Sequence, residues 1–482
     1  MRLALLLFIT LAALAQQPGI HGPKIHGVRP GNPVLYRVPA TGARPMRFEA
    51  KGLPAGLAID PAQGIINGKI ARAGTYNVTL RVSNAEGKDE RKLKIVAGDT
   101  IALTPPMGWS TWYMAYENIT AELVRKQTEA MVTSGLADHG YTYINLDDGW
   151  NIKPGSPNPR RTDPARNPDG SLRSNADFPD MKGLVDFVHA RGLKAGIYIG
   201  PGPLTCAKYE GSWQHEEQDL KQFVAWGFDF LKYDWCAYSR VAPEKTLETF
   251  KRPYVLMGGL LKKAPRDIVF NLCQYGMGDV HEWGREVGGN YWRTTGDISL
   301  GNTKTNSFWA SVDKIGFGQA GKEKWAGPGG WNDPDNILIG EVLVGQTLGP
   351  TPLTRDEQKT YFSLWCMLSA PLVLGSDLTK LDAETLAILT NDEAIDINQD
   401  ELGRQAAPLV RNGKLEVWTK PLADGGTAVG LFNRGETAAK MNYAVSGAKN
   451  VRDVWQHKDL GKLKGGYEIE VPRHGVVLLR VR

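Results

Sequence analysis

The chain has 482 residues, more than one compact hydrophobic core usually holds, so we expect two or three domains. Hydrophobic residues make up 42% and charged residues 23%, which is typical of globular proteins. The formal net charge is only +5, and the lysines and arginines are scattered along the chain. This distribution argues against a nucleic-acid-binding protein.

Residues 1–15 have the pattern of a cleaved secretory signal peptide. Arg2 precedes an apolar run from Leu3 to Leu14, and Ala13-Leu14-Ala15 forms a cleavage site of small residues. The run is too short to stay in a bilayer as a spanning helix, and no later segment is longer and equally apolar. We therefore expect a secreted or periplasmic protein that has no membrane attachment after cleavage.

Short strands separated by turn residues predict a β-sandwich at residues 27–98. The predicted strands are Val34–Val38, Met46–Ala50, Gly64–Gly68, Thr75–Val82 and Lys92–Val96. The segments Gly52–Asp60 and Ala73–Tyr76 resemble immunoglobulin-like modules found beside bacterial surface and carbohydrate-active domains. Because a fold does not by itself define a function, we expect no more than a spacer role for this unit.

Residues 102–396 show apolar strands that alternate with amphipathic helices, the pattern of a parallel sheet. Eight strands over this length fit a (β/α)8 TIM barrel. They are predicted at Met107–Trp109, Tyr143–Asp147, Lys194–Gly200, Phe228–Asp234, Ile268–Cys273, Tyr291–Thr294, Gly330–Trp331 and Leu372–Gly375. Helices are predicted at Ala121–Leu136 and Glu244–Lys262. An open doubly wound sheet is the alternative, but the usual dinucleotide glycine motif is missing after the first strand.

The helical periodicity ends near residue 397, and short strands return. Examples are Lys414–Thr419, Thr427–Phe432 and Gly475–Arg480. We expect residues 397–482 to form a C-terminal antiparallel β-sandwich.

Polar side chains cluster at the carboxyl ends of the predicted barrel strands, where the active sites of such barrels lie. In chain order they are Asp147, Asp148, Tyr198, Lys232, Asp234, Gln274, Arg293 and Asp297. Asp234 and Asp297 each follow an apolar, aromatic-rich strand. Two carboxylates flanking one bond are what glycoside hydrolysis requires, one as nucleophile and one as proton donor. For either acid alone, a structural aspartate that caps a helix is the alternative.

Five ordered motifs resemble family 27 of the glycoside hydrolases, the α-galactosidase and α-N-acetylgalactosaminidase family. They are Met107–Trp112, Asp147–Trp150, Leu231–Asp234, Trp292-Arg293 with Asp297, and Gly327–Asp335. The resemblance extends from about residue 102 to the end of the chain. It implies a retaining exo-α-galactosidase that acts on galactose-containing oligo- or polysaccharides and needs no cofactor or metal.

The resemblance also implies roles for single residues. Asp234 corresponds to the nucleophile and Asp297 to the acid/base, and such a pair should lie about 5 to 5.5 Å apart. Substrate-binding positions are implied for Trp112, Asp147, Asp148, Tyr198, Lys232, Arg293 and Asp335, and Gln274 is assigned to the 2-hydroxyl side of the sugar. Cys206 and Cys236 correspond to a disulfide at the pocket edge, whereas Cys273 and Cys366 lie in apolar segments and are expected to be free thiols.

Other functions compete with this interpretation. Gln274-Tyr275 stands where many members of the family that this chain resembles have Glu-Trp, and Asn336 stands where methionine is common. Activity as an α-N-acetylgalactosaminidase or a β-L-arabinopyranosidase is therefore an alternative within the same chemistry. A non-catalytic sugar-binding protein is an alternative of another class. A metal-dependent hydrolase that uses Asp147 and Asp148 is a third hypothesis, weakened by the lack of Cys-x-x-Cys or histidine pairs at ligand spacing.

Overall fold

The computed structural model describes residues 17–299, 307–444 and 447–482. The signal peptide expected at residues 1–15 lies outside the described residues. Within the described ranges, no helix combines the length and the apolar character needed to cross a membrane.

The first nine strands form a small β-sandwich with a core of its own. They are β1 (Gly19–Ile20), β2 (Ile25–Val28), β3 (Pro33–Arg37), β4 (Ala40–Thr41), β5 (Arg47–Lys51), β6 (Leu57–Ile59), β7 (Ile65–Lys69), β8 (Gly74–Asn84) and β9 (Gly87–Ala97). One sheet has the order β2-β9-β8-β5, the other has the order β3-β7-β6, and β1 pairs with β4. Phe48, Ile66 and Leu80 are among the buried residues between them. Strands β1, β2, β4 and β6 were not predicted from the sequence, because such short segments show too little alternation of apolar and polar residues.

A parallel eight-stranded sheet follows and curls into a (β/α)8 barrel. Its strands are β10 (Met107–Ser110), β11 (Tyr143–Asn145), β12 (Lys194–Ile199), β13 (Phe230–Asp234), β14 (Val269–Cys273), β15 (Tyr291–Arg293), β16 (Trp331–Asp333) and, after the hairpin β17 (Glu341–Val344) and β18 (Thr347–Pro350), β19 (Leu372–Leu374). The order is β16-β15-β14-β13-β12-β11-β10-β19. Ile337, just after β16, forms a parallel bridge with Leu374 and so joins the two outer strands. The predicted fold class is confirmed.

Two helix boundaries differ from the prediction because of local interactions at the helix ends. They are α1 (Trp112–Ala115), α2 (Ala121–Thr133), α3 (Met181–His189), α4 (Glu216–Trp226), α5 (Leu247–Lys263), α6 (Val280–Trp283), α7 (Phe308–Phe317), α8 (Arg355–Met367), α9 (Ala383–Leu389) and α10 (Asp392–Asn398). The Thr246 side chain accepts a hydrogen bond from the Thr249 backbone N–H, so α5 begins later than predicted. Helix α2 ends earlier than predicted because Gly135 adopts a left-handed conformation, with φ 88°.

The C-terminal part of the chain forms the predicted antiparallel β-sandwich. Its strands are β20 (Ala407–Asn412), β21 (Leu415–Pro421), β22 (Thr427–Asn433), β23 (Ala439–Tyr443), β24 (Ala448–Asp453), β25 (Lys458–Lys464), β26 (Tyr467–Val471) and β27 (Val476–Val481). The larger sheet has the order β20-β21-β22-β27-β24-β25, and β23 pairs with β26. Val429, Leu431 and Leu479 are buried in its core.

The N-terminal sandwich packs against the end of the barrel where the strands begin. Arg29 Nε donates to Asp267 Oδ1 at 2.7 Å, just before β14, and its Nη1 donates to the Lys262 carbonyl at 2.8 Å. Arg37 donates to Asp138, which precedes β11, at 3.1 Å. The sandwich is therefore docked on the barrel end away from the polar strand termini.

Replacing Arg29 by alanine should lower the free energy of unfolding by about 2 to 4 kcal/mol, because Asp267 and several carbonyls would lose their donor in a largely buried contact. Arg47→Ala is the matched control, since Arg47 and Glu49 form an ion pair with side chains 70% and 51% exposed. That change should cost less than about 0.5 kcal/mol. Urea unfolding of both variants measures the difference, and equal losses would contradict the docking role of Arg29.

Candidate active site

The carboxyl ends of the barrel strands surround one cavity. Its lining consists of Trp112, Tyr113, Asp147, Asp148, Tyr198, Cys206, Lys232, Asp234, Tyr275, Arg293, Asp297, Asp335 and Asn336. The structure thus brings together all the predicted catalytic and substrate-binding residues except Gln274. These residues are far apart in the chain, and the parallel register of the barrel strands places them at one level.

Strand β13 presents Lys232 and Asp234 to the cavity because alternate residues of a strand point to the same side. Tyr233, between them, points outward and packs against Tyr254 and Phe270. In the strand register, Tyr198 pairs with Lys232, and Asp234 pairs with Cys273. This register sets how far along the barrel axis each of these side chains lies.

Asp234 is a buried carboxylate that has two polar neighbours. The Tyr275 hydroxyl donates to its Oδ1 at 2.6 Å, and Lys232 Nζ lies 3.8 Å from its Oδ2. Burial raises the pKa of Asp234 above its ordinary value, and the positive charge of Lys232 and the hydrogen bond from Tyr275 oppose that rise. These two contacts therefore favour the ionised form.

Asp147 and Asp148 are buried side by side and use different donors. Lys232 Nζ donates to Asp147 Oδ2 at 2.8 Å. Asp148 accepts from the Thr205 hydroxyl and from the Ala207 backbone N–H, each at 2.8 Å. Burial raises the pKa of Asp148 to about 7 despite these hydrogen bonds, so Asp148 is only partly ionised near neutral pH.

Arg293 connects Asp297 with Asp335. Its Nη2 lies 3.0 Å from Asp297 Oδ1 and 2.9 Å from Asp335 Oδ2. The Asp335 carboxylate also accepts from the Tyr113 hydroxyl and from the Ile298 backbone N–H, both at 2.8 Å. The Arg293 side chain is only 4% exposed, whereas that of Asp297 is 57% exposed. Asp297 therefore lies at the opening of the cavity, held from below by a buried cation.

The geometry does not support the expected contact between Gln274 and a substrate. The Gln274 side chain is buried, and its Nε2 donates to the Phe250 carbonyl at 3.4 Å, away from the cavity. Tyr275 faces the cavity instead, in a left-handed conformation with φ 57°. Strand β14 ends at Cys273, so period-two alternation no longer predicts which of the next two side chains points inward.

Three lining residues were not proposed as contacts from the sequence: Tyr113, Tyr275 and Asn336. Tyr113 follows Trp112 and Asn336 follows Asp335, so proximity to a motif was the available signal. Tyr275 and Asn336 were identified only as differences from related sequences.

Cys206 and Cys236 form a disulfide with a Cα–Cα distance of 4.9 Å, as the resemblance implied. Cys273 and Cys366 are free and buried. Cys206, Asp234 and Cys236 make the one close group of potential metal ligands within the described ranges. Because the two sulfurs are bonded to each other, they offer no thiolate to a metal.

The comparisons with known proteins agree with this arrangement. Residues 104–400 match the family model "Alpha galactosidase A", residues 412–481 match "Alpha galactosidase C-terminal beta sandwich domain", and residues 18–98 match "Putative Ig domain". The chain belongs to the α-galactosidase (melibiase) family, glycoside hydrolase family 27. It is therefore a glycoside hydrolase.

Individual relatives cover most of this family 27 chain. Alpha-galactosidase A of Cellvibrio japonicus (strain Ueda107) is 37% identical over 406 residues, which are 80% of this chain and 93% of that protein. A "putative alpha-galactosidase/melibiase" structure from Bacteroides fragilis NCTC 9343 has a TM-score of 0.88 at 34% identity and covers 97% of this chain and 98% of that chain. The α-galactosidase of Saccharomyces cerevisiae with raffinose has a TM-score of 0.69 at 26% identity, over 79% and 98% of the two chains.

The raised pKa of Asp148 predicts a pH-dependent stability difference. Folded Asp148 has a pKa of about 7 against an ordinary value of 3.8, so its contribution to stability is lost as the pH rises from about 4 to about 7. Asp148→Asn removes this loss, and Thr205 can reverse its hydroxyl to accept from the amide. The variant should gain roughly 2 to 4 kcal/mol relative to the wild type between pH 4 and pH 8. Urea unfolding across this range tests the prediction, and parallel stability curves would contradict it.

Proposed function

We propose that this protein is a retaining, exo-acting α-galactosidase that releases terminal α-linked galactose from oligo- or polysaccharides. The main supporting observation is that one cavity holds two carboxylates in unlike surroundings. Asp234 is buried beside Lys232, and Asp297 is exposed at the opening beside Arg293. The named relatives support the sugar, and the raffinose-bound yeast enzyme supports an oligosaccharide substrate.

In the first step, Asp234 attacks the anomeric carbon. A bond forms between that carbon and a carboxylate oxygen, and the bond to the leaving oxygen breaks as Asp297 gives that oxygen a proton. The positive charge of Lys232 favours the ionised form of the nucleophile. Asp297 must begin this step protonated, because it supplies the proton that the leaving oxygen receives.

In the second step, a water molecule gives its proton to Asp297 and attacks the anomeric carbon from the face that the leaving group had occupied. The electron pair of the ester bond returns to Asp234, and galactose leaves with its original configuration. The exposure of Asp297 supports this role, because both the leaving group and the water reach the site through the opening.

The deeper part of the cavity suits a terminal sugar. Asp147 and Asp148 offer carboxyl groups and Lys232 offers an ammonium for the hydroxyl groups of the sugar, and Trp112 offers an aromatic face at the wall of the cavity. Tyr198 and Asp335 are buried on the side of the cavity that faces the barrel. Because the cavity is closed on that side, it suits the end of a polysaccharide chain better than the middle of one.

We further infer that the enzyme acts outside the cytoplasm. Two features support this: the signal-peptide pattern of residues 1–15 and the disulfide between Cys206 and Cys236.

The catalytic roles can be separated by substitution and azide rescue. Asp234→Ala should abolish hydrolysis of an activated aryl α-galactoside, and azide should then give the inverted β-galactosyl azide. Asp297→Ala should still form the galactosyl-enzyme from an activated substrate, and azide should give the retained α-galactosyl azide. Product configuration is read by NMR. The opposite pairing of variant and product would reverse the two roles, and near-native rates in Asp234→Ala would exclude Asp234 as nucleophile.

The sugar preference can be measured with three aryl glycosides: α-galactoside, α-N-acetylgalactosaminide and β-L-arabinopyranoside. We expect the highest kcat/KM for the α-galactoside. The pentoside lacks the 6-hydroxymethyl group, so the buried carboxyl groups of Asp147 and Asp148 would lose a hydrogen-bonding partner on the sugar. A higher kcat/KM for either of the other two sugars would overturn the sugar assignment.

A further inference from the structure

The Tyr275 hydroxyl lies at a point where three polar atoms meet. It is 2.6 Å from Asp234 Oδ1 and 3.3 Å from each of the sulfurs of Cys206 and Cys236. Disulfide sulfurs carry no proton and are weak acceptors, whereas a carboxylate accepts strongly. The hydroxyl therefore donates to Asp234, and the disulfide packs against its other side.

The tyrosine keeps its proton throughout the working pH range. Burial and the negative charge of Asp234 raise the pKa of Tyr275 far above its ordinary value. Because the phenol cannot act as an acid or base there, its contribution to the reaction is that of a fixed hydrogen-bond donor.

The backbone holds this donor in a costly conformation. Tyr275 has φ 57°, which is unfavourable for a bulky residue and is typical of functional sites. The next residue, Gly276, also has positive φ, and its N–H donates to the Arg293 carbonyl at 3.1 Å. A Cβ at Gly276 would lie 2.4 Å from the Thr294 carbonyl. The turn after β14 is thus tied to β15 in a way that points the phenol at Asp234.

We propose that Tyr275 positions the Asp234 nucleophile and stabilises it as the leaving carboxylate when the glycosyl-enzyme is hydrolysed. This inference rests on the retaining mechanism proposed above. By binding Oδ1, Tyr275 leaves Oδ2, on the Lys232 side, as the attacking oxygen.

The hydrogen bond changes strength during the cycle. It is strong while Asp234 is ionised and weak while Asp234 is an ester, because a charged acceptor binds a donor more strongly than a neutral one. Charge leaves Asp234 in the first step and returns to it in the second. Tyr275 therefore gives no net assistance to the attack but assists the departure of Asp234 from the sugar, as water attacks and Asp297 takes its proton.

Tyr275→Phe isolates this effect, since it keeps the ring and removes the hydroxyl. On an activated aryl glycoside, kcat should fall about 10- to 100-fold while kcat/KM, above its acidic limb, changes by only a few fold. KM should fall with kcat, and mass spectrometry of quenched turnover mixtures should show accumulated enzyme carrying one glycosyl unit of the substrate used. The acidic limb of kcat/KM should move to higher pH by about one pH unit, because the ionised form of Asp234 has lost a donor.

Tyr113→Phe is the matched control. It removes a phenolic hydroxyl that donates at 2.8 Å to Asp335, another carboxylate of the same cavity. Any loss of activity in that variant should appear in kcat/KM. Glycosyl-enzyme should not accumulate, and the acidic limb should not shift. Thermal melts of both variants establish that they are folded. If Tyr275→Phe does not fold, 3-fluorotyrosine at position 275 provides a more acidic donor and should shift the acidic limb to lower pH.

The assays use whichever of the three aryl glycosides the wild type hydrolyses fastest, so a wrong sugar assignment leaves the test intact. A wild type inactive on all three overturns the proposed function and this inference together. If the wild type is active, any of three results overturns the role of Tyr275 alone. These are an unchanged kcat in Tyr275→Phe, an increased KM in that variant with no accumulated intermediate, and an acidic limb that does not move in the fluorotyrosine test.

Discussion

The site depends on two cations that offset the negative charge of a cluster of carboxylates. Five aspartates at the barrel mouth are buried, namely Asp147, Asp148, Asp234, Asp333 and Asp335. Unpaired carboxylates in such a place would be very costly, because burial removes the water that stabilises their charge. Lys232 lies between Asp147 and Asp234, and Arg293 lies between Asp297 and Asp335. Each cation thus contacts one of the two acids that we propose as catalytic and one further acid of the cavity.

The two cations do not neutralise all of these carboxyl groups. Burial holds the pKa of Asp148 at about 7 and that of Asp333 at about 6, so part of the cluster stays protonated near neutral pH. Lys232 behaves in the opposite way: burial alone would lower its pKa, but the charges of Asp147 and Asp234 raise it well above its ordinary value. A site of this kind can donate and accept hydrogen bonds at once, as a polyhydroxylated ligand requires.

The barrel separates this chemistry from the remaining parts of the chain. The N-terminal sandwich contacts the barrel where the strands begin, through Arg29 and Arg37, while the cavity lies where the strands end. The C-terminal sandwich is tied to the barrel helices, for example by Arg434, whose Nη2 donates to Asp313 in α7 at 3.0 Å. Both sandwiches can therefore support the barrel without taking part in the cavity lining.

Much of the fold and of the candidate site could be predicted from the sequence, because strand periodicity and strand-end polarity are local properties. The alternation in Phe230–Asp234 places Lys232 and Asp234 on one face, and the order of eight such strands specifies a barrel whose polar ends converge. The strand ends themselves were less well defined, and β1, β2, β4 and β6 were not predicted, since segments this short carry too little pattern.

The tertiary structure alone decided what happens beyond the strand ends. Gln274 and Tyr275 are adjacent, and only the left-handed turn tied to β15 turns the amide toward Phe250 and the phenol toward Asp234. The same holds for Tyr113, which reaches Asp335 across more than two hundred positions of the chain. A sequence determines which side chains a strand presents, because the repeat is short and fixed. It does not reveal which distant donor meets a given carboxylate, because that depends on how loops from different strands pack together.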